Sequence, residues 1–182
     1  MRYALSRRVL HWAVFALLVV QFPLGWIMAG YEPGTVAAVD GALGEGAFNT
    51  LYDLHKSIGL TILGLMILRV VARATRPAPP HAPPIKPWEA RASLAVHLAL
   101  YGLLIVTPIV GWIGVSLFPA PAPLFFLVDL RLPFAADRPL SESFLEVHAP
   151  LAAMILILAA VHVLAALKHR FIDRDLVMDR ML

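Results

Sequence analysis

Four apolar runs, at about residues 9 to 29, 52 to 72, 93 to 117 and 146 to 168, constrain this chain more than any other feature. A helix needs roughly 20 apolar residues to cross the hydrocarbon core of a bilayer, and each run is long enough. In lipid every backbone N–H and C=O has to find its partner inside the segment, so such runs are helical. The expected fold is an all-α membrane protein, a bundle of four transmembrane helices forming one domain over residues 1 to 182. Composition agrees, with 60% hydrophobic residues and a mean hydropathy of +0.78, far above a soluble globular domain.

Charge placement orients the bundle. Lys and Arg collect before the first run (Arg2, Arg7, Arg8), between the second and third (Arg69, Arg73, Arg76, Lys86, Arg91) and after the fourth (Lys168, Arg170, Arg174, Arg180), which is 12 of the 15 basic residues. The remaining three, Lys56, Arg131 and Arg138, fall on the other side with eight acidic residues. The positive-inside rule then puts both termini in the cytoplasm. Trp12 and Trp88 lie near the inner interface and Trp26 and Trp112 near the outer one, as aromatic belts require. Ser6 to Leu10, S-R-R-V-L, has the look of a twin-arginine signal, but the run behind it is long, contains Gln21 and Pro23 and lacks an A-x-A site. It is read as a retained anchor.

Between the second and third runs, R-P-A-P-P-H-A-P-P-I-K-P (Arg76 to Pro87) is expected to form a stiff polyproline-like connector with a solvated His81. F-P-A-P-A-P (Phe118 to Pro123) ends the third helix. S-F-L-E (Ser143 to Glu146) matches a capping box and is expected to start the fourth, with Pro150 inside it.

Ionisable groups in a span are costly and mark function. His11, His55, His97, His148 and His162 fall in or at the edges of the runs, and His169 closes the fourth. At about 100° per residue, the step from His148 to His162 is about 40° short of four turns, and that from His162 to His169 about 20° short of two. All three imidazoles share one stripe. His148 and His162 are about 21 Å apart along the axis, too far for one ion and suited to two centres at two depths.

Run direction pairs His55 with His148 near the outer end and His11 with His162 near the inner end. Zinc wants four ligands, usually some of them Cys or carboxylate, and there is no Cys. A haem iron needs two axial groups only. Gly59, Gly64, Ala149, Ala152, Ala153, Ala159, Ala160, Ala165 and Ala166 leave room for a flat ring, or else simply allow close helix packing. Hydrogen bonds between imidazoles of neighbouring helices are the alternative to ligation. His97 competes with His11 as the inner ligand, or bonds a haem propionate or a quinone. His169 is placed to meet a quinone head group, or to join a basic cluster on lipid phosphate.

R-V-L-H-W, L-Y-D-L-H-K-S-I-G, H-L-A-L-Y-G-L-L-I-V-T-P-I-V-G, and H followed 14 residues later by H-V-L-A-A-L-K-H-R-F-I-D-R-D together span nearly the whole chain. In these segments it resembles the bacterial cytochrome b561 family, within the wider group that includes cytochrome b subunits of hydrogenases and formate dehydrogenases. The resemblance implies two b haems in the bacterial inner membrane, held by His11 with His162 and by His55 with His148, and a ubiquinone site at His169. It is nearest the superoxide-oxidase-like branch, which implies superoxide:ubiquinone oxidoreduction. A cytochrome b subunit serving a partner dehydrogenase is the other function implied. Expected partners are membrane lipid, quinone, and superoxide or an electron-donor protein, with no nucleic acid. The excess of acidic residues outside opposes attraction of an anion unless Lys56, Arg131 or Arg138 makes a local positive funnel.

Overall fold

Each apolar run lies within one long helix. A computed structural model describes residues 2–29, 32–75, 85–119 and 121–182. The expected polyproline connector and His81 fall largely outside the described residues. The spanning helices are α1 (Leu5–Ala29), α3 (Ala47–Thr75), α4 (Pro87–Leu117) and α5 (Arg138–Lys168). All four are long and apolar enough to cross a membrane, and their outward faces stay exposed, with Trp26 at 83% and Leu164 at 65%. Such apolar exposure on every helix is what lipid covers.

A further short helix, α2 (Pro33–Leu43), precedes α3. Its length hides it from a search for spans, and its function is local: the Asp40 carboxylate accepts the Phe48 N–H at 2.8 Å, closing the start of α3. Gly44 follows with φ +105°, a conformation that disfavours any side chain.

The start of α5 corrects the sequence reading. The helix begins at Arg138, well before the S-F-L-E box. Asp137 is its N-cap, accepting the Leu140 N–H at 3.0 Å, and Pro139 supplies a helical φ in the first turn. Ser143 already lies inside the helix, its hydroxyl donating to the Pro139 carbonyl at 3.0 Å.

Between α4 and α5 a small antiparallel hairpin pairs β1 (Pro123–Leu124) with β2 (Val128–Asp129). It is fastened to the helices beneath it. The fully buried Ser57 hydroxyl lies 2.9 Å from the Pro123 carbonyl and accepts the Phe125 N–H at 2.8 Å. Trp112 Nε1 donates to the Leu130 carbonyl at 2.7 Å.

The helices pack as two pairs, α1 on α3 and α4 on α5, joined mainly where α3 meets α4. Val14, Leu24, Ile58, Ile62, Met66, Leu104 and Ile155 form the core between them. The backbones of α1 and α3 barely approach α5.

After α5 the chain makes a π-helical turn (His169–Asp173) and a short 3-10 turn (Met178–Arg180), and returns to α1. The Tyr3 N–H donates to the Arg180 carbonyl at 3.0 Å and Trp12 Nε1 to the Met181 carbonyl at 2.9 Å. Arg180 is 6% exposed and its guanidinium lies 4.9 Å from the Tyr3 ring centre. Both termini thus close the same end of the bundle.

Candidate functional site

The imidazoles gather in two layers between the helix pairs. At the end of the bundle nearer the hairpin, His55 on α3 faces His148 on α5 with ring centres 6.2 Å apart and planes at 79°. Nearer the termini, His11 on α1 faces His162 on α5 at 6.1 Å and 72°. His97 on α4 also faces His162, at 5.1 Å.

The local register explains why both layers form. In every spanning helix the residue 14 positions on occupies the same stripe one layer away: His11 and Gly25, His55 and Arg69, His97 and Gly111, His148 and His162. In the hairpin-side layer glycines face the histidines. A Cβ on Gly25 would lie 3.2 Å from His55 Cε1, and one on Gly111 would lie 2.8 Å from His148 Nδ1. In the other layer the same helix partners are His11 with Arg69 and His97 with His162. Sequence reading noticed the 14-residue step on the fourth span only. Carried to the other three, it would have singled out Gly25, Gly111 and Arg69.

Hydrogen bonds hold most of the rings. His148 Nδ1 is 2.9 Å from the Thr107 carbonyl, a bond it can only donate, which leaves its Nε2 lone pair free. His97 Nδ1 is likewise 2.6 Å from the Ser93 carbonyl. His55 has Gln21 Nε2 at 3.4 Å from its Nε2, while the same amide donates to the His55 carbonyl at 3.1 Å. His55 Nδ1 is buried without a hydrogen-bond partner among the described residues. His11 Nδ1 lies 3.2 Å from Arg69 Nη2, and that guanidinium stacks 5.2 Å from the Tyr101 ring centre.

These residues fit a haem. Two imidazoles on opposite sides of one iron have metal–nitrogen bonds of about 2 Å each, so their ring centres lie roughly 6 Å apart. The His55/His148 and His11/His162 distances meet that requirement, and the His97/His162 distance is too short. The unpartnered His55 nitrogen, the glycine cradle at His148 and the lack of backbone approach to α5 all leave space for a flat ligand. Among the described residues no hydrogen bond joins the paired imidazoles, and Nδ1 of His148 and of His97 lies against a carbonyl oxygen.

His169 stands apart from both layers. Its Nδ1 is 2.6 Å from Asp175 Oδ2 and 3.3 Å from Asp173 Oδ2. Lys168 pairs with Asp173 and, at 3.1 Å, with Glu89, while Arg170 pairs with Asp179 at 3.0 Å. The basic cluster expected here is therefore matched internally. The three basic residues from which a positive funnel at the other end would have to be built are matched too: Lys56 with Asp53 at 2.6 Å, Arg131 with Asp129 at 2.7 Å and Arg138 with Glu142 at 2.9 Å.

Histidine layers at two depths of a four-span bundle define the class of a multi-pass membrane electron carrier. The chain belongs to the prokaryotic cytochrome b561 family, which it matches over residues 2–182. It is 30% identical to cytochrome b561 homolog 2 of Escherichia coli, with 100% of this chain and 91% of that protein aligned. It is 25% identical to a probable superoxide oxidase, CybB, of Yersinia pestis, over 100% and 96% of the two chains. Cytochrome b561 homolog 1 of E. coli is 21% identical over 100% and 97%. Membership carries membrane electron transfer and haem b binding.

Proposed function

We infer that this protein takes single electrons at the periplasmic end of the bundle and delivers them to ubiquinone at the cytoplasmic end, in the bacterial inner membrane with both termini cytoplasmic. The observation that carries the reading is the pair of imidazole couples 6.2 and 6.1 Å apart at two depths. In it, His55 and His148 hold one b haem and His11 and His162 a second, nearer the cytoplasm. Haem bound there would supply a one-electron carrier.

The chain's own residues do the rest. The Thr107 carbonyl orients His148 so that Nε2 faces the cleft. Gly25 and Gly111 keep the cleft open against the rings. Near the cytoplasmic end, Asp175 holds His169 Nδ1, leaving Nε2 for a quinone oxygen and the proton it needs. His97 lies beside His162, where it bonds a propionate or a quinone.

Superoxide is the proposed electron donor, on the strength of the resemblance to the superoxide-oxidase-like branch and of the relative named for that activity. The test is purified protein exposed to a superoxide source with ubiquinone present. Quinol formation and faster superoxide loss are expected, and inertness overturns the substrate. One observation favours a second reading, a cytochrome subunit fed by a partner dehydrogenase. All three basic residues of the periplasmic side are in ion pairs, so none is free to steer an anion. A dehydrogenase that co-purifies and reduces the protein would decide for it.

A further inference from the structure

The two histidine layers differ in charge. Around His55 and His148 the neighbours are neutral: the Gln21 amide, the Thr107 carbonyl, Gly25 and Gly111. Lys56, adjacent to His55 in the chain, has its ammonium 2.6 Å from the Asp53 carboxylate and 2.8 Å from the Pro121 carbonyl, so its charge is compensated. Around His11 and His162 the opposite holds. Arg69 occupies on α3 the stripe position that His55 has one layer away, and its Nη2 is 3.2 Å from His11 Nδ1. Arg73, one helical turn on, lies 5.5 Å from the same Tyr101 ring that Arg69 stacks on. Among the described residues no carboxylate forms an ion pair with Arg69 or Arg73. An arginine inside a span with no counter-ion is costly, and it implies use of its field.

We propose that Arg69 sets the direction of electron flow, by making the centre at His11 and His162 the stronger electron acceptor of the two. The inference rests on the proposed ligand pairs. An electron arriving at that centre lowers its net charge by one. Iron bound at Nε2 would leave the His11 proton on Nδ1, and Arg69 can only donate, so the guanidinium beside that N–H disfavours the electron-poor state and favours the reduced one. Among the described residues the His55/His148 centre has no such uncompensated cation, so the electron moves toward the cytoplasmic side, with one centre oxidised as the other is reduced. In a protein interior a unit charge this close to a ligand shifts the equilibrium by about tenfold or more. For one electron that is about 59 mV in midpoint potential. Arg69 is a positioning residue for charge and needs no contact with donor or quinone.

Potentiometric titration of purified protein in lipid nanodiscs tests this, with haem content and low-spin spectra recorded for each variant. In wild type, the centre that survives His148→Ala is expected to have the higher of the two potentials. Arg69→Met is expected to lower that potential by at least the tenfold equivalent and to leave the other unchanged, while Arg69→Lys retains most of it. If Arg69→Met fails to assemble, Arg69→Gln keeps a polar side chain beside His11 without the charge and is read the same way. Overturning results are a wild-type order with the His11/His162 centre lower, or neutral variants whose two potentials are unmoved or move together. Absence of two haems would instead sink the ligand assignment, which the spectra report separately.

Discussion

Gly111 offers the sharpest perturbation of the hairpin-side layer. A methyl group at this position would sit 2.8 Å from His148 Nδ1 and 2.9 Å from Cε1, where ordinary contact starts at 3.4 Å. In Gly111→Ala the ring must therefore retreat by about 0.6 Å, and the atoms it would meet belong to a ring on a packed helix rather than to a floppy chain end. Retreat pulls Nδ1 from its 2.9 Å bond with the Thr107 carbonyl. Overpacking of this kind costs about 1 to 3 kcal/mol. At about 2 kcal/mol, the ligand held by His148 should bind roughly thirtyfold more weakly. The assay is haem content with a reduced-minus-oxidised spectrum, beside Gly102→Ala, where the added carbon meets nothing within 4 Å. Gly111→Ala should lose or distort the haem at His55 and His148 and keep the other, and Gly102→Ala should match wild type. Two unaltered haems in Gly111→Ala would refute the argument that this glycine exists to admit the His148 ring.

Ser57→Ala should loosen the hairpin from α3, since the buried hydroxyl accepts the Phe125 N–H and shares its one proton between the Asp53 and Pro123 carbonyls at 2.7 and 2.9 Å. The cost is about 1 to 3 kcal/mol, and protease cleavage near Phe126 should accelerate; an unchanged digestion rate contradicts the fastening. Asp129 in the same hairpin has its carboxyl held below the usual 3.8 by the Ala122 N–H first, and then by Arg131. A depressed carboxylate stabilises above its unfolded value and loses that contribution as pH falls through the folded one. Hairpin cleavage should therefore rise below about pH 4 in wild type, and Asp129→Asn should be cleaved readily at neutral pH with little further pH dependence.

The spans were legible because apolar length is written directly in composition, and the depth pairing of the histidines followed from helix pitch and run direction. Helix ends were harder to see. Ser143 to Glu146 satisfied a capping pattern, but the cap lies at Asp137, whose carboxylate reaches the Leu140 N–H while Pro139 fixes the first turn. A capping pattern inside a good helix has no reason to act. The internal matching of charge was also hidden. Lys168, Arg170 and His169 read as a basic cluster on lipid phosphate because Glu89 reaches Lys168 only where α4 packs on α5, and Asp173, Asp175 and Asp179 meet the cluster only as the chain turns back through and beyond the π-helical turn. Arg69 was counted with the loop beyond the second span. Its place beside His11 depends on α1 and α3 packing side by side, a tertiary fact.

The central claim, two haems at two depths held by the His55/His148 and His11/His162 pairs, is tested most directly by haem quantitation with redox difference spectra on wild type, His148→Ala and His162→Ala. Two low-spin b haems in wild type and one in each variant, with different spectra for the two survivors, is the predicted result. Retention of both haems by either variant would contradict it.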